Sequence, residues 1–198
     1  MIRNAKLVST LCLSLLTCAC QYQDIARYVH QGDLSSIRRY LSSGGDPNAL
    51  VDGQPLLYIA MTGRDKIGVA EILLAAGADV NFGGKTMSFP LLEAANWGHT
   101  DAIEWFVSKG ADLNSIDGDG YTAIMYFIFS THSLTKFQPT FNRLVTAGAS
   151  LCHVANDGNS VSKMLWASGD KELAIRVDDT CASESTAPRT PILQSEAP

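Results

Sequence analysis

The sequence predicts an all-α solenoid in which about three full helix-turn-helix units stack between N- and C-terminal caps. Similar hexapeptides begin at Gly44, Gly77, Gly110 and Gly148; the first three glycines are 33 residues apart, and the fourth lies 38 residues beyond the third. Apolar stretches precede Gly77 and Gly110, which is typical of helices that end at a residue able to adopt positive φ. A period near 33 residues indicates supersecondary units that bury their apolar faces on one another.

A second set of motifs lies between these hexapeptides. PLLYIAMTG begins at Pro55, PLLEAANWGH at Pro90 and TAIMYFIFS at Thr122. Together with the hexapeptides, these segments resemble the T-P-L-H-x-A-A-x-x-G-H and G-A-D-V-N signatures of the ankyrin-repeat family over residues 24–176. The resemblance implies two antiparallel helices and a β-hairpin finger in each unit, and we assign the ankyrin-repeat domain to residues 24–180.

Caps are predicted at both ends of the array. Residues 26–48 form a half-unit in which two glycines keep the 12-residue spacing of a full unit, and the polar side chains of its second helix suit a solvent-facing cap. Residues 157–176 are the C-terminal counterpart. Within the full units, Pro55 and Pro90 are predicted in the first helical turn, where a missing N–H does no harm.

The fourth unit is longer than the others. Residues 130–140 (STHSLTKFQPT) add about five residues where the turn between the two helices is expected. Because loops tolerate extra length and often carry function, this segment is either a contact for a partner or an insertion without a role.

The first 19 residues have the layout of a secretory signal peptide. Arg3 and Lys6 precede an apolar run over residues 7–16, which is too short to span a bilayer. Without residues 1–19, the chain carries 13 basic and 20 acidic side chains, a formal net charge of −7. Such a surface repels nucleic acid and anionic lipid headgroups, so we predict no nucleic-acid partner and expect membrane attachment to come from a lipid.

The sequence LLTCAC after the apolar run resembles the lipobox of bacterial lipoproteins, in which a cysteine becomes the first mature residue and carries the acyl chains. We assign lipidation to Cys20, because the preceding Ala19 is small, and keep Cys18 as the alternative; residues 20–23 then form the lipidated N-terminus and a short linker. Neither cysteine is followed by Asp, so the resemblance implies an outer-membrane anchor that faces the periplasm. An ordinary cleaved signal with incidental cysteines is the other interpretation.

Two cysteines, Cys152 and Cys181, remain beyond the lipobox. In an oxidising periplasm they can form a disulfide that closes a loop of about 30 residues, with a stabilisation of roughly 3–4 kcal/mol on the chain-entropy estimate. Two unpaired thiols are the alternative. Residues 181–198 are rich in Pro, Ser, Thr and Ala and poor in large apolar residues. Such a segment cannot bury enough surface to offset its ordering entropy, so we predict a disordered tail.

Three sequence features could carry chemistry, and each fails a test of spacing. Residues 84–86 (Gly-Lys-Thr) match the end of a phosphate-binding loop, but Asp79 stands where the loop needs its first glycine. DGDGYT at residues 117–122 resembles the start of a calcium loop, but Ile128 stands where a bidentate glutamate is needed. The four histidines lack metal-binding spacing. We therefore predict no active site, no metal and no cofactor.

Ankyrin arrays bind other proteins through finger tips and inner helices that line a concave face, and the resemblance implies the same here. Trp97 is the strongest candidate, because a partly exposed indole at a helix end is a common interface anchor; the alternative is that it packs on a neighbouring turn. The repeat register gives these partner-binding candidates: Phe82, Lys85, Met87, Asn96, Trp97, Asp117, Asp119, Tyr121 and Phe129.

Three functions are compatible with these expectations. The first is a periplasm-facing lipoprotein that binds a protein partner; in its sharper form it is an immunity protein, since the chain resembles small bacterial ankyrin lipoproteins that neutralise secreted toxins such as type VI lipases. The second is an adaptor or stabiliser of a periplasmic or envelope enzyme. The third is small-ligand binding or catalysis in the long fourth-unit loop, where His132 and His153 could approach each other. We expect a binding protein and not an enzyme.

Overall fold

The computed structural model describes residues 24–84, 89–131 and 138–186, with only the backbone described for residues 184–186. These ranges contain ten α-helices and one two-stranded antiparallel hairpin. In chain order the elements are α1 (residues 24–31), α2 (Leu34–Ser42), β1 (Leu50–Val51), β2 (Gln54–Pro55), α3 (Leu56–Thr62), α4 (Lys66–Ala75), α5 (Pro90–Asn96), α6 (Thr100–Ser108), α7 (Ala123–Thr131), α8 (Gln138–Thr146), α9 (Val161–Ser168) and α10 (Lys171–Thr186).

The helices form five consecutive pairs, which confirms the predicted all-α solenoid of three full units between two caps. The first helices of successive pairs make an inner row, in which α3 packs on α5, α5 on α7 and α7 on α9. The second helices make an outer row of α2, α4, α6 and α8. Ala60, Ala94 and Ala95 are fully buried in the inner row, because only small side chains let neighbouring helices approach this closely.

Two outer helices end at glycines, as their spacing predicts. Gly77 after α4 and Gly110 after α6 have φ angles of +96° and +75°, a left-handed backbone that residues with a β-carbon adopt at a cost. The N–H of Ala111 then turns back and donates to the carbonyl of Phe106 at 3.1 Å. This bond satisfies one of the carbonyls that a helix end leaves open.

Asparagine side chains join each finger to the next unit. The Oδ1 atoms accept hydrogen bonds of 2.8 Å from backbone N–H groups one unit further on: Asn48 from Asp79, Asn81 from Asp112, and Asn114 from Ser150. The amide of Asn114 also donates to the carbonyl of Gly148 at 3.1 Å. The recurrent Asn of the hexapeptide is therefore a side chain that links neighbouring units.

The entry to the first full unit differs from the prediction. Pro90 opens α5 as expected, but Pro55 lies one residue before α3 and pairs with Leu50 in the hairpin β1–β2. Its ψ of 150° is extended, which suits a strand and not a helical turn. In the described fingers, β structure beyond this hairpin is limited to an isolated bridge between Val154 and Ser160. Turns in which an Asp carboxylate accepts from the backbone N–H of the Asn two residues later take the place of longer strands.

The predicted disordered tail begins too early. α10 continues past residue 181 to Thr186, and the sequence has no Pro or Gly within that helix. A disulfide joins Cys181 to Cys152, and Cys181 packs against the core, so the end of the helix is held from the side. Residues 187–198 lie outside the described part of the chain.

Candidate protein-binding cleft

A cleft of about 340 Å³ opens between the inner helices α3, α5 and α7 and the finger that precedes α7. Its lining includes three carboxylates, Glu93, Asp117 and Asp119. The lining also includes three aromatic side chains and one amide: Tyr58, Phe89, Tyr126 and Asn96. These residues come from three successive units, so the cleft exists only because the units stack.

Glu93 on α5 is the least exposed of the three carboxylates, with 9% of its surface accessible. One helical turn further along, the indole Nε1 of Trp97 donates to Glu93 Oε1 at 2.7 Å. The side chain of Tyr58 on α3, in the preceding unit, lines the cleft beside Glu93. Burial, followed by Glu93, raises the pKa of Tyr58 to about 12. The indole of Trp97 therefore fixes one nearly buried carboxylate, and Tyr58 lies next to it.

Asp117 fixes the finger against α7. Its Oδ1 accepts hydrogen bonds from the backbone N–H groups of Asp119 and Tyr121 at 3.0 and 2.9 Å. Its Oδ2 accepts from the hydroxyl of Tyr126 on α7. Burial raises the pKa of Tyr126, and Asp117 raises it further, so the hydroxyl keeps its proton and remains a donor. Asp117 is a structural organiser as well as a lining residue.

Asp119 differs from the other two carboxylates because it is exposed and projects from the finger. Among the residues that the structure describes, its carboxylate takes part in no hydrogen bond or ion pair. Its backbone carbonyl accepts from the N–H of Asn156 in the next finger at 3.0 Å, which holds this part of the loop in place. The side chain is therefore positioned by its backbone and remains available to a ligand.

Two large aromatic side chains stand exposed at the ends of inner helices beside the cleft. Trp97 follows the last residue of α5 and is 60% exposed, and Phe129 on α7 is 68% exposed. The hydroxyl of Ser130 donates to the carbonyl of Ala95 at 2.9 Å, so the ends of α5 and α7 are in direct contact. Phe129 is the seventh residue of α7, as the exposed Asn96 is of α5. These ends form one surface.

The remaining predicted contact residues lie elsewhere or have other bonds. Phe82 is half-buried in its finger. The hydroxyl of Tyr121 donates to Asp157 Oδ2 at 2.7 Å and accepts from Asn159 at 2.8 Å, so it links two fingers, and Asp157 raises its pKa. Lys85 and Met87 fall outside the described residues.

Sequence reasoning missed Phe89, Leu92 and Gly118 of the cleft lining, and also its polar residues Glu93, Tyr58 and Tyr126. Glu93 occupies the variable position of PLLEAANWGH, where the motif itself carries no expectation. An acidic residue within an otherwise apolar inner helix was the available signal, because buried carboxylates need specific partners. The two tyrosines gave no signal, since they lie 35 residues before Glu93 and nine residues after Asp117.

The histidines of the described regions have structural surroundings. His99 precedes α6, and burial, followed by Lys66, lowers its pKa. His153 Nε2 lies 2.7 Å from the carbonyl of Gly120 in the preceding finger. His132 lies outside the described residues, so its predicted approach to His153 is untested. Within the described ranges, no three His, Cys, Asp or Glu side chains are arranged to hold a metal ion.

The predicted lipidation residues, Cys20 and Cys18, lie in residues 1–23, which are outside the described ranges. None of the helices between residues 24 and 186 combines the length and the apolar character needed to cross a membrane.

Comparison with known proteins agrees with the helix-pair architecture. The family described as "Ankyrin repeats (3 copies)" matches residues 25–117. The chain is 33% identical over 98 residues to cyclin-dependent kinase 4 inhibitor B of Mus musculus, a match that covers 48% of this chain and 74% of that protein. The chain belongs to the ankyrin-repeat family.

Two further relatives are much longer than this chain. Alpha-latrocrustotoxin-Lt1a of Latrodectus tredecimguttatus is 33% identical over 96 residues, which is 48% of this chain but 7% of the toxin. Ankyrin repeat and KH domain-containing protein 1 of Homo sapiens is 36% identical over 58 residues, which is 29% of this chain and 2% of that protein. The repeat array is what the matches share, and ankyrin repeats indicate binding to a protein partner.

Proposed function

We propose that this protein binds a protein partner through the surface that carries the cleft. The observation that supports this most strongly is Trp97, whose indole is 60% exposed while its N–H is held by Glu93. A large aromatic side chain that is already fixed offers apolar contact area and loses little conformational entropy on binding. Phe129 extends the same surface.

We further propose that a lipid on Cys20 anchors the protein to the outer membrane, with the array facing the periplasm. The LLTCAC sequence supports the anchor. The disulfide between Cys152 and Cys181 supports an oxidising compartment, because such bonds persist there and are reduced in the cytosol.

In that compartment, the finer form of the proposal is immunity against a secreted toxin, such as a lipase delivered by a type VI system. The name of the mouse relative describes a kinase inhibitor, which supports an inhibitory role for this array. An adaptor or stabiliser of an envelope enzyme is the alternative. Both roles use the same surface and differ in the partner.

The test is cross-linking and co-purification of the tagged full chain from its own cells. Trp97→Ala is the test variant, because Trp97 donates to the cleft residue Glu93. Trp166→Ala is the matched control, since Trp166 is also exposed, at 45%, but lies on α9. We expect Trp97→Ala to weaken the affinity for the recovered partner by about tenfold or more, as for an interface anchor. Trp166→Ala should bind as the unaltered chain does.

The identity and behaviour of the partner decide between the finer alternatives. A secreted toxin that loses activity when bound supports immunity, whereas an envelope enzyme that gains stability supports the adaptor role. Full binding by Trp97→Ala would contradict the assigned surface. A deletion strain that is no more sensitive than its parent to attack by sibling cells would contradict immunity.

A further inference from the structure

Trp97 and Phe129 are exposed at the adjoining ends of α5 and α7, and the Glu93 carboxylate that Trp97 bonds lines a cleft whose charge is not balanced by its described lining. Lys and Arg are absent from the described residues that line the cleft, while Glu93, Asp117 and Asp119 all contribute to it. None of these three carboxylates forms an ion pair with a described side chain; the ion pair in that part of the chain joins Arg27 to Asp24 on α1, at 2.7 Å. The cleft therefore presents concentrated negative charge beside an apolar surface.

The charge is concentrated in the part of the chain that supplies the whole described cleft lining except Tyr58. Residues 67–131 contain eight acidic and two basic side chains, whereas residues 24–66 contain five of each. The preceding segment is thus neutral by formal count, and the acidic field belongs to residues 67–131. Such a field attracts cations and raises the association rate of a partner that carries one.

The bonding of the carboxylates leaves room for a cation. Among the described residues, Glu93 accepts a hydrogen bond from the neutral indole of Trp97 and has no ion pair, and the carboxylate of Asp119 has no partner. A charge-assisted hydrogen bond is roughly twice as strong as a neutral one, so a cation would add to what this donor supplies. The rings of Tyr58 and Tyr126 line the same cleft and can attract a cation.

We propose that the cleft receives an arginine side chain of the partner protein, with an adjacent apolar side chain of that partner resting on Trp97 and Phe129. Arginine fits better than lysine because its planar guanidinium can bond two carboxylate oxygens and stack on an aromatic ring. The inference rests on the proposed function, because it specifies the chemistry of the partner that this surface binds.

The test uses the isotope-labelled full chain in detergent and two short peptides. The probe is acetyl-Gly-Phe-Arg-Gly-amide, and the matched peptide has citrulline in place of arginine, which keeps the shape and removes the charge. Binding is followed by NMR through the indole N–H signals of the three tryptophans, with Trp97 assigned from the spectrum of Trp97→Phe. We expect the arginine peptide to shift the Trp97 signal and to bind about tenfold more tightly than the citrulline peptide.

Variants locate the charge that is recognised. Asp119→Asn keeps the backbone bonds of the finger and should weaken binding of the arginine peptide by about threefold to tenfold. Asp178→Asn makes the same change on the exposed surface of α10, away from the cleft lining, and should bind as the unaltered chain does. Equal affinity for the two peptides, or no shift of the Trp97 signal with either, would overturn the proposal even if no variant were made.

The outcome is separable from that of the proposed function. If Trp97→Ala loses the cellular partner but Asp119→Asn keeps it and the peptides do not differ, the binding surface stands and the arginine inference fails. If the arginine peptide binds as expected but Trp97→Ala retains the cellular partner, the cleft recognises arginine while the surface proposed for that partner is wrong.

Discussion

At the scale of single residues, a tyrosine lies beside each of the two less exposed carboxylates of the cleft. Tyr58 lies beside Glu93, and the hydroxyl of Tyr126 donates to Asp117. Burial is the first cause of the raised pKa of both tyrosines, and the neighbouring carboxylate is the second. The hydroxyl of Tyr126 keeps its proton and holds Asp117, while the indole of Trp97 holds Glu93.

The titration of Tyr58 gives a prediction at high pH. Its pKa is raised from 10.0 to about 12 in the folded chain, so the folded state binds this proton more tightly than the unfolded state. The resulting stability is fully present below pH 10 and is lost as the pH rises through about 12. Tyr58→Phe should therefore lose less stability than the unaltered chain over this interval. Urea unfolding at a series of pH values measures the difference, and identical pH profiles would contradict the assignment.

The cleft residues that the sequence predicted share one property, which is a position that the repeat register exposes. Asn96, Asp117 and Asp119 line the cleft, and Trp97 bonds a lining residue; all four were predicted because finger tips and inner-helix ends recur at fixed places in a unit. Glu93 was not found, because its surroundings come from side chains of two other units. The repeat pattern predicts which face of the array a residue occupies, but it does not predict which side chains from other units lie next to it.

At the scale of elements, the finger begins where a glycine allows the helix to reverse direction. Gly110 has a φ of +75°, and a β-carbon built on it meets no atom within 4 Å. A substitution there meets backbone strain and no steric clash.

We expect Gly110→Ala to lower the free energy of unfolding by about 1–2 kcal/mol, the cost of a left-handed backbone for a residue with a β-carbon. Gly118→Ala is the control, since Gly118 is also open to solvent but does not have a positive φ. Its effect should stay within about 0.5 kcal/mol. Chemical denaturation of both variants provides the comparison, and equal losses would show that backbone strain is not the cause.

Element boundaries followed from the sequence where one residue type decides them. The glycines after α4 and α6 end those helices as predicted. Pro55 was placed one residue too far into α3, since a proline suits both an extended strand and a first helical turn. The end of α10 was misplaced because composition alone does not reveal that Cys181 is tied to Cys152.

At the scale of the whole molecule, the 33-residue period was sufficient to predict the fold, because each unit repeats the same contacts with its neighbours. The asparagine bonds between fingers repeat with the units in the same way. The disulfide is a different kind of link, since it joins the last finger to the last helix, across 29 residues of chain.

We expect replacement of both Cys152 and Cys181 by Ser to lower the free energy of unfolding by about 3–4 kcal/mol, because the unfolded chain regains the entropy that the closed loop removes. A thiol reductant should destabilise the unaltered chain by a similar amount and leave the double variant unchanged. Urea unfolding with and without reductant measures both effects. Stability of the unaltered chain that is insensitive to reductant would contradict a stabilising role for the bond.

The proposed anchor is tested by the location of the whole protein. Cys20→Ser should move the exported protein from the membrane fraction to the soluble fraction, because the acyl chains supply the attachment. Cys18→Ser is the matched control and should remain in the membrane fraction. Fractionation followed by immunoblotting gives the result. The reverse pattern would assign the lipid to Cys18. If the variant with both Cys18 and Cys20 replaced by Ser stayed in the membrane fraction, a lipid on either cysteine would be excluded.

Because the disulfide lies at the C-terminal end of the array, the two ends should differ in how readily they unfold. In a stack whose units contact only their neighbours, opening starts from an end, and the pair α9 and α10 is held shut by the bond to Cys181. Among the described residues, no disulfide holds the pair α1 and α2. Backbone amides should therefore exchange with solvent first in α1 and α2, so that the array comes apart from its N-terminal end while the opposite end stays closed.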